Sequence, residues 1–165
     1  MNASTVPADS KRKWYGLAQR HLRMASRLLA SGFADGAYFH IYHAYECSVS
    51  AFIAAHGVAV PPDGVTVLTA PRGKRVYLSL ISGRQESSTH KARIMFFNEL
   101  ADPTMPYARL HARLRRLMTD RSRNDALYYD TGRGLLPQQR YDYLSVSAQW
   151  SIVRQFCREV WRDIR

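Results

Sequence analysis

At 165 residues, with 46% hydrophobic and 22% charged content, the chain is long enough for one domain with a real core and too short for two, and wholesale disorder is excluded. The unusual quantity is charge: 24 Lys+Arg against 13 Asp+Glu leave +11, a field that favours polyanions such as RNA, DNA, a nucleotide or an acidic partner. Two cysteines, Cys47 and Cys157, sit in no metal-ligand or redox spacing and read as small buried residues of a reducing compartment.

Residues 1–9 carry no periodic pattern and are expected to form a loose arm, leaving 10–165 as a single domain. No apolar run of signal or membrane-span length is expected, so the chain reads as a cytoplasmic protein without a membrane partner. From Ser10 to Ser31, the spacing of Trp14, Leu17, Ala18, Leu22, Ala25, Leu28 and Leu29 predicts an amphipathic helix with a basic outer face, stopped by Gly32. A second helix is expected from Asp35 to His56, with a wide apolar stripe running from Ala37 through Tyr45 to Phe52. The short connection between them makes the two antiparallel.

Residues 57–86 are the least helical. Val65 to Thr69 and Val76 to Ile81 are β-branched and aromatic runs around Pro71-Arg72-Gly73-Lys74, which suit a small β-hairpin or a structured loop. SSTHKARIMFFNEL then opens a short third helix that stops before Pro103. A fourth is expected from Pro106 to just before Gly132, and a fifth from Pro137 to the C-terminus, buried along Val146, Trp150, Val153, Phe156, Cys157, Val160, Trp161 and Ile164. The fold class expected is therefore all-α: about five helices in a mostly antiparallel bundle.

The fourth helix poses a chemical question. Leu110, Leu114, Leu117 and Met118 recur on one face, and continuing at about 100° per residue places Arg121, Asn124, Asp125 and Tyr128 where the core should be. A guanidinium, an amide, a carboxylate and a phenol brought together need partners in other helices, water or a ligand, and an Arg there can grip a phosphate bidentately. Arg109, Arg113, Arg116, Arg123 and Arg133 supply positive charge beside the cluster, a path for a nucleic-acid backbone. The alternative is a polar network that locks the bundle or a dimer seam and does no chemistry.

The long second helix in FADGAYFHIYHAYECSVSAFIAAHG, the SSTHKARIMFFNEL segment and above all RSRNDALYYD carry a resemblance. Over most of Trp14 to Ile164 the chain resembles HEPN domains, all-α bundles found in RNA-targeting toxins, phage-defence proteins and RNA-processing factors. Active members of that family carry Arg, four to six residues, then His, and pair two motifs across a homodimer to cleave RNA without a metal. The resemblance implies RNA and a second copy of the chain as partners, no cofactor, and Arg123, Asn124, Asp125 and Tyr128 as candidate catalytic residues. Arg116, Arg121, Arg133, His90 and Lys91 are the candidate RNA-binding residues.

Tyr128 stands where the motif His would be. A phenol with a reference pKa of about 10 is a poor general base beside an imidazole, so the resemblance implies an RNA-directed protein more securely than a nuclease. Asp125 is the remaining candidate base, unless His90, at the start of the third helix, folds back toward Arg123. The rival expectation is a non-catalytic module that binds nucleic acid or a nucleotide, or docks a partner such as a nucleotidyltransferase antitoxin. His40 and His43 share a helix face, but no HExxH motif or third nearby ligand accompanies them, so no metal site is read.

Overall fold

The computed structural model describes residues 7–58, 67–69, 75–79, 82–127 and 133–165, and of residues 67–69, 75, 120 and 121 the backbone alone. The described residues build an all-α bundle with one small antiparallel sheet. Its helices are α1 (Ser10–Ala30), α2 (Ala34–Ala55), α3 (Thr89–Leu100), α4 (Pro106–Leu117), α5 (Asp120–Asp125) and α6 (Tyr143–Ile164).

α2 is the axis of the core. Almost every position from Ala37 to Ala54 is buried, because α1, α3 and α6 pack around it. α1 ends as its sequence dictates: Gly32 adopts a φ of 81°, and the Phe33 and Gly32 amides donate to the carbonyls of Leu28 and Leu29 at 2.9 and 3.0 Å. That closure turns the chain within a few residues and sets α2 against α1. α6 buries Val146, Val153, Phe156, Cys157, Val160 and Ile164, while Trp150 and Trp161 are only half-buried. Cys157 accepts from Ser48 at 2.9 Å, and burial pushes both thiols up to about 12, which makes them packing groups and not nucleophiles.

Between α2 and α3 the chain forms a ladder: β1 (Val67–Thr69), β2 (Arg75–Leu78) and β3 (Gln85–Glu86), in the order β1-β2-β3. Val67 faces Tyr77, and Tyr77 faces Glu86. The basic turn around Pro71 to Lys74 lies outside the described residues. Of the two expectations for this region, the β pairing is the one present.

Two boundaries differ from the sequence reading. The fourth helix does not run through to Gly132; it stops at Leu117, and Met118 is extended at φ −114° and ψ 92°. Thr119 then caps a new short helix, its side chain accepting from the Ser122 amide at 3.1 Å while Ser122 Oγ accepts from the Thr119 amide at 2.8 Å. This reciprocal pair satisfies free amides at the new N-terminus and stabilises the restart. The face is therefore re-phased: α4 buries Tyr107, His111 and Leu114, whereas Leu117 is exposed. At the other end, Pro137–Gln139 forms a single 3-10 turn, and α6 begins only at Tyr143, capped by Asp142.

Candidate functional site

Glu46 organises the site. Glu46 is 5% exposed in the middle of a largely apolar helix, and a charge cannot persist there unpaired. His43, one turn earlier on α2, brings Nδ1 to 3.4 Å of Oε2. From α3, His90 Nδ1 meets Oε1 and Arg93 Nη1 lies 3.9 Å from Oε2. Burial alone raises the Glu46 carboxyl, but hydrogen bonds from His43 and His90 and electrostatic attraction to His90 and Arg93 outweigh it and hold it at about 2. The ionised carboxylate is thus the anchor that fixes two imidazoles.

His90 is held from both sides. Its Nε2 lies 2.6 Å from Nη1 of Arg123 on α5, so the imidazole that the sequence places far from the Arg motif is in direct contact with it. A guanidinium has only donors; Nε2 therefore accepts, and the ring hydrogen sits on Nδ1, donated to Glu46. The result is a carboxylate–imidazole–guanidinium line, with the ring orientation and tautomer set by the buried acid.

Arg123 is positioned by three further features. Asn124 Oδ1 accepts from its Nε at 3.2 Å and from its Nη2 at 2.9 Å, and its Cζ lies 5.8 Å from the centre of the Tyr42 ring. α5 itself is pinned to the core through Ser122, whose Oγ accepts from Tyr38 at 2.7 Å and whose carbonyl accepts from Tyr141. The tyrosine rings stack on each other at 4.4 Å. The helix break at Met118 and Thr119 thus turns Arg123 toward His90 while Ser122 faces inward.

The other expected site residues are placed as follows. Asp125 pairs with Arg140 at 2.8 Å, both side chains mostly buried, so its carboxylate is already engaged. Tyr128 lies outside the described residues, as does the side chain of Arg121. Lys91 is exposed on the wall of a cleft of about 450 Å³ that opens beside His90, between β3, α3 and α4. That wall carries Arg84 and Arg115 as well, against one acid, Glu86, and Tyr42, Ile94 and Met118 give it apolar surface. Arg116 is exposed, but its neighbour Arg115 is the one lining the cleft; Arg133 is exposed in the loop before α6.

Glu46 was not singled out from the sequence, although a signal existed: HIYHAYE sets His40, His43 and Glu46 three residues apart along one face, and an acid within an apolar stripe demands partners. His21 was also missed. It comes from α1 with its Nδ1 2.9 Å from that of His40 and its ring stacked on His43 at 5.4 Å. Burial and the neighbouring imidazoles lower His21 to about 4, leaving it neutral at ordinary pH. Among the described residues, no group of three or more His, Cys, Asp or Glu side chains is arranged to hold a metal ion, and no helix is long and apolar enough to cross a membrane. Comparisons of the chain with protein-family models, with curated proteins and with solved structures give no match.

Proposed function

We propose that this protein is an RNA-directed, HEPN-like module whose cleft beside His90 binds single-stranded RNA, and that it cleaves the strand by attack of a 2′-hydroxyl, with His90 in the role for which the motif lacks its own imidazole. The observation that carries this reading is the 2.6 Å contact between His90 and Arg123, backed by buried Glu46, with His90 itself lining a cleft that also carries Arg84, Lys91 and Arg115. A general base with a fixed tautomer beside a guanidinium is what in-line phosphoryl chemistry requires.

In the bound state Arg123 turns from Nε2 to the scissile phosphate, keeping Asn124 as its guide. The 2′-hydroxyl gives its proton to the freed Nε2 of His90 while its oxygen bonds to phosphorus and the bond to the 5′-oxygen breaks. Arg123 neutralises the charge gathering on the non-bridging oxygens. The departing 5′-oxygen takes a proton from solvent, leaving a 2′,3′-cyclic phosphate and a 5′-hydroxyl. Asp125, held by Arg140, has no part in these steps.

The test is incubation of the purified protein with labelled transfer and messenger RNA in EDTA, with products mapped, beside His90→Ala and Arg123→Ala. Wild-type cleavage leaving cyclic phosphate ends, reduced on the order of 10²–10⁴-fold in each variant, is the expected result. RNA binding without cleavage by the wild type would leave a binding or docking module in place of the nuclease. Absence of binding as well would defeat the RNA-directed reading.

A further inference from the structure

The wall of the cleft beside His90 carries charge of both signs. Arg84, Lys91, Asn98 and Arg115 line it with exposed donor side chains, and Glu86 is the one acid among the described lining residues. The ladder sets where that acid stands. Glu86 faces Tyr77 across the β2–β3 pair, and residues directly opposite in an antiparallel pair share a face of the sheet. Tyr77 is 3% exposed, so that face is the one turned toward the helices, whereas Gln85 is exposed on the other. α3 opens at Thr89, directly after β3, which brings Glu86, His90 and Lys91 onto one cavity of about 450 Å³, a volume of ligand-site size.

Glu86 is half-buried, and among the described residues its side chain makes no hydrogen bond or ion pair, not even with Arg84 or Lys91 on the same wall. A carboxylate turned inward in this way is an acceptor without a donor. In a cleft that only gathered phosphates it would also be a repulsive charge, lowering the affinity for every strand alike. Repulsion of that kind is useful where it discriminates, as a penalty on ligands that bring no donors of their own.

We propose that the cleft reads one base of the strand, next to the scissile phosphate, and that Glu86 selects guanine there. Both oxygens of an ionised carboxylate only accept. The Watson–Crick edge of guanine sets two donors side by side, N1–H and the N2 amine, and of the four bases guanine alone has such a pair. Adenine and cytosine each present an amine beside a bare ring nitrogen, whose lone pair the carboxylate repels. Uracil presents a single N–H between two carbonyls. The remaining group on the guanine edge, O6, is an acceptor, and Lys91 and Asn98 carry donors for it on α3. The partly exposed Ile94 side chain gives the base an apolar surface, and the exposed guanidinium groups of Arg84 and Arg115 offer planes on which a base stacks. The inference rests on the RNA reading above and specifies which strand that site prefers.

The experiment is fluorescence anisotropy with labelled tetranucleotides UGUU, UAUU, UUUU and a fourth in which inosine replaces the guanosine, all with 2′-methoxy groups so that no 2′-hydroxyl can attack. We expect the wild type to bind UGUU roughly tenfold more tightly than UAUU or UUUU, the worth of a bidentate contact to a base edge. Inosine keeps N1–H and lacks the amine, so its strand should lose most of that advantage. Glu86→Gln exchanges one acceptor for a donor and should bind UGUU and UAUU alike, with UAUU held no more weakly than by the wild type because a negative charge has gone. Equal wild-type affinity for UGUU and UAUU, full affinity for the inosine strand, or a preference that survives Glu86→Gln would each overturn the role of Glu86 while leaving RNA binding intact. Free guanosine monophosphate competing as well as UGUU itself would overturn the strand as the source of the base. Failure of the wild type to bind any of the four strands would defeat the underlying RNA reading and this inference with it.

Discussion

Burying Glu46 in α2 sets an energetic problem that His43, His90 and Arg93 solve together, and pH is the variable that exposes it. The carboxyl is held at about 2 against an ordinary 4.5. Its folded value is the lower one, so the unfolded chain takes up the proton first as pH falls. The stability contributed by the charge is complete above about pH 4.5 and is lost progressively toward pH 2, amounting to about 3 kcal/mol. His21, lowered to about 4, and His111, lowered to about 3, act in the same direction from pH 6.5 downward, because each is neutral in the fold and charged in the unfolded chain. Glu46→Gln should therefore be less stable than the wild type by about 3 kcal/mol at neutral pH, and thermal denaturation curves of the two should converge near pH 2. A constant difference across that window would show that Glu46 is not ionised in the fold. The same variant replaces the charged acceptor of His90 Nδ1–H with a neutral amide that can present a donor as readily as an acceptor, so the tautomer is no longer fixed and RNA cleavage should fall even where the protein remains folded.

At the scale of elements, the short helix α5 decides whether there is a site at all. A single helix running on from α4 would carry Arg123 round to a different face; the break at Met118 and Thr119 is what aims it at His90. Ser122 makes that break stable from two directions, as the cap partner of Thr119 and as the acceptor for Tyr38. Ser122→Ala should lower stability by about 2 kcal/mol, read as a fall in the urea midpoint without a change in m value. It should also weaken RNA cleavage, because Arg123 is the next residue along. An unchanged midpoint would mean that packing of Ala126 and the stacked tyrosines suffices to hold α5. Much of this level was legible in the chain: α1, α2 and α6 announce themselves because a long apolar stripe has only one way to be buried. The α4–α5 break was not, because Leu117 and Met118 continue the apolar spacing of Leu110 and Leu114 and the T-x-x-S cap is a weak signal beside them. The contact of His90 with Arg123 was open in the sequence as one alternative to Asp125, but no local pattern selects it. It joins residues 33 apart directly, and it takes the docking of both α3 and α5 on α2 to bring them together.

For the whole molecule, the excess charge of +11 is distributed over more than one groove, and that distribution gives a test of where a polyanion binds. The cleft beside His90 carries Arg84, Lys91 and Arg115. A second basic groove, between α1 and α6, is lined by Arg23, Arg154 and Arg158, with Arg154 already laid over the Trp150 ring at 5.3 Å. Net charge alone would let RNA spread over both, because counterion release depends on phosphates neutralised and not on the shape of the surface. A strand seated at His90 draws on the first set. The logarithm of the binding constant for oligo(U) should fall linearly with the logarithm of salt concentration, and each cation removed from the cleft should reduce the slope by about 0.7 for a single strand. The Arg84→Gln, Arg115→Gln double variant should thus flatten the slope by roughly 1.4, while an Arg23→Gln, Arg158→Gln pair, with the same change in net charge, should leave it close to the wild-type value. Equal flattening by the two pairs would mean that RNA is held by the general field and has no fixed path past His90. Flattening by the second pair alone would move the strand to the α1–α6 groove and separate RNA binding from the Glu46–His90–Arg123 line.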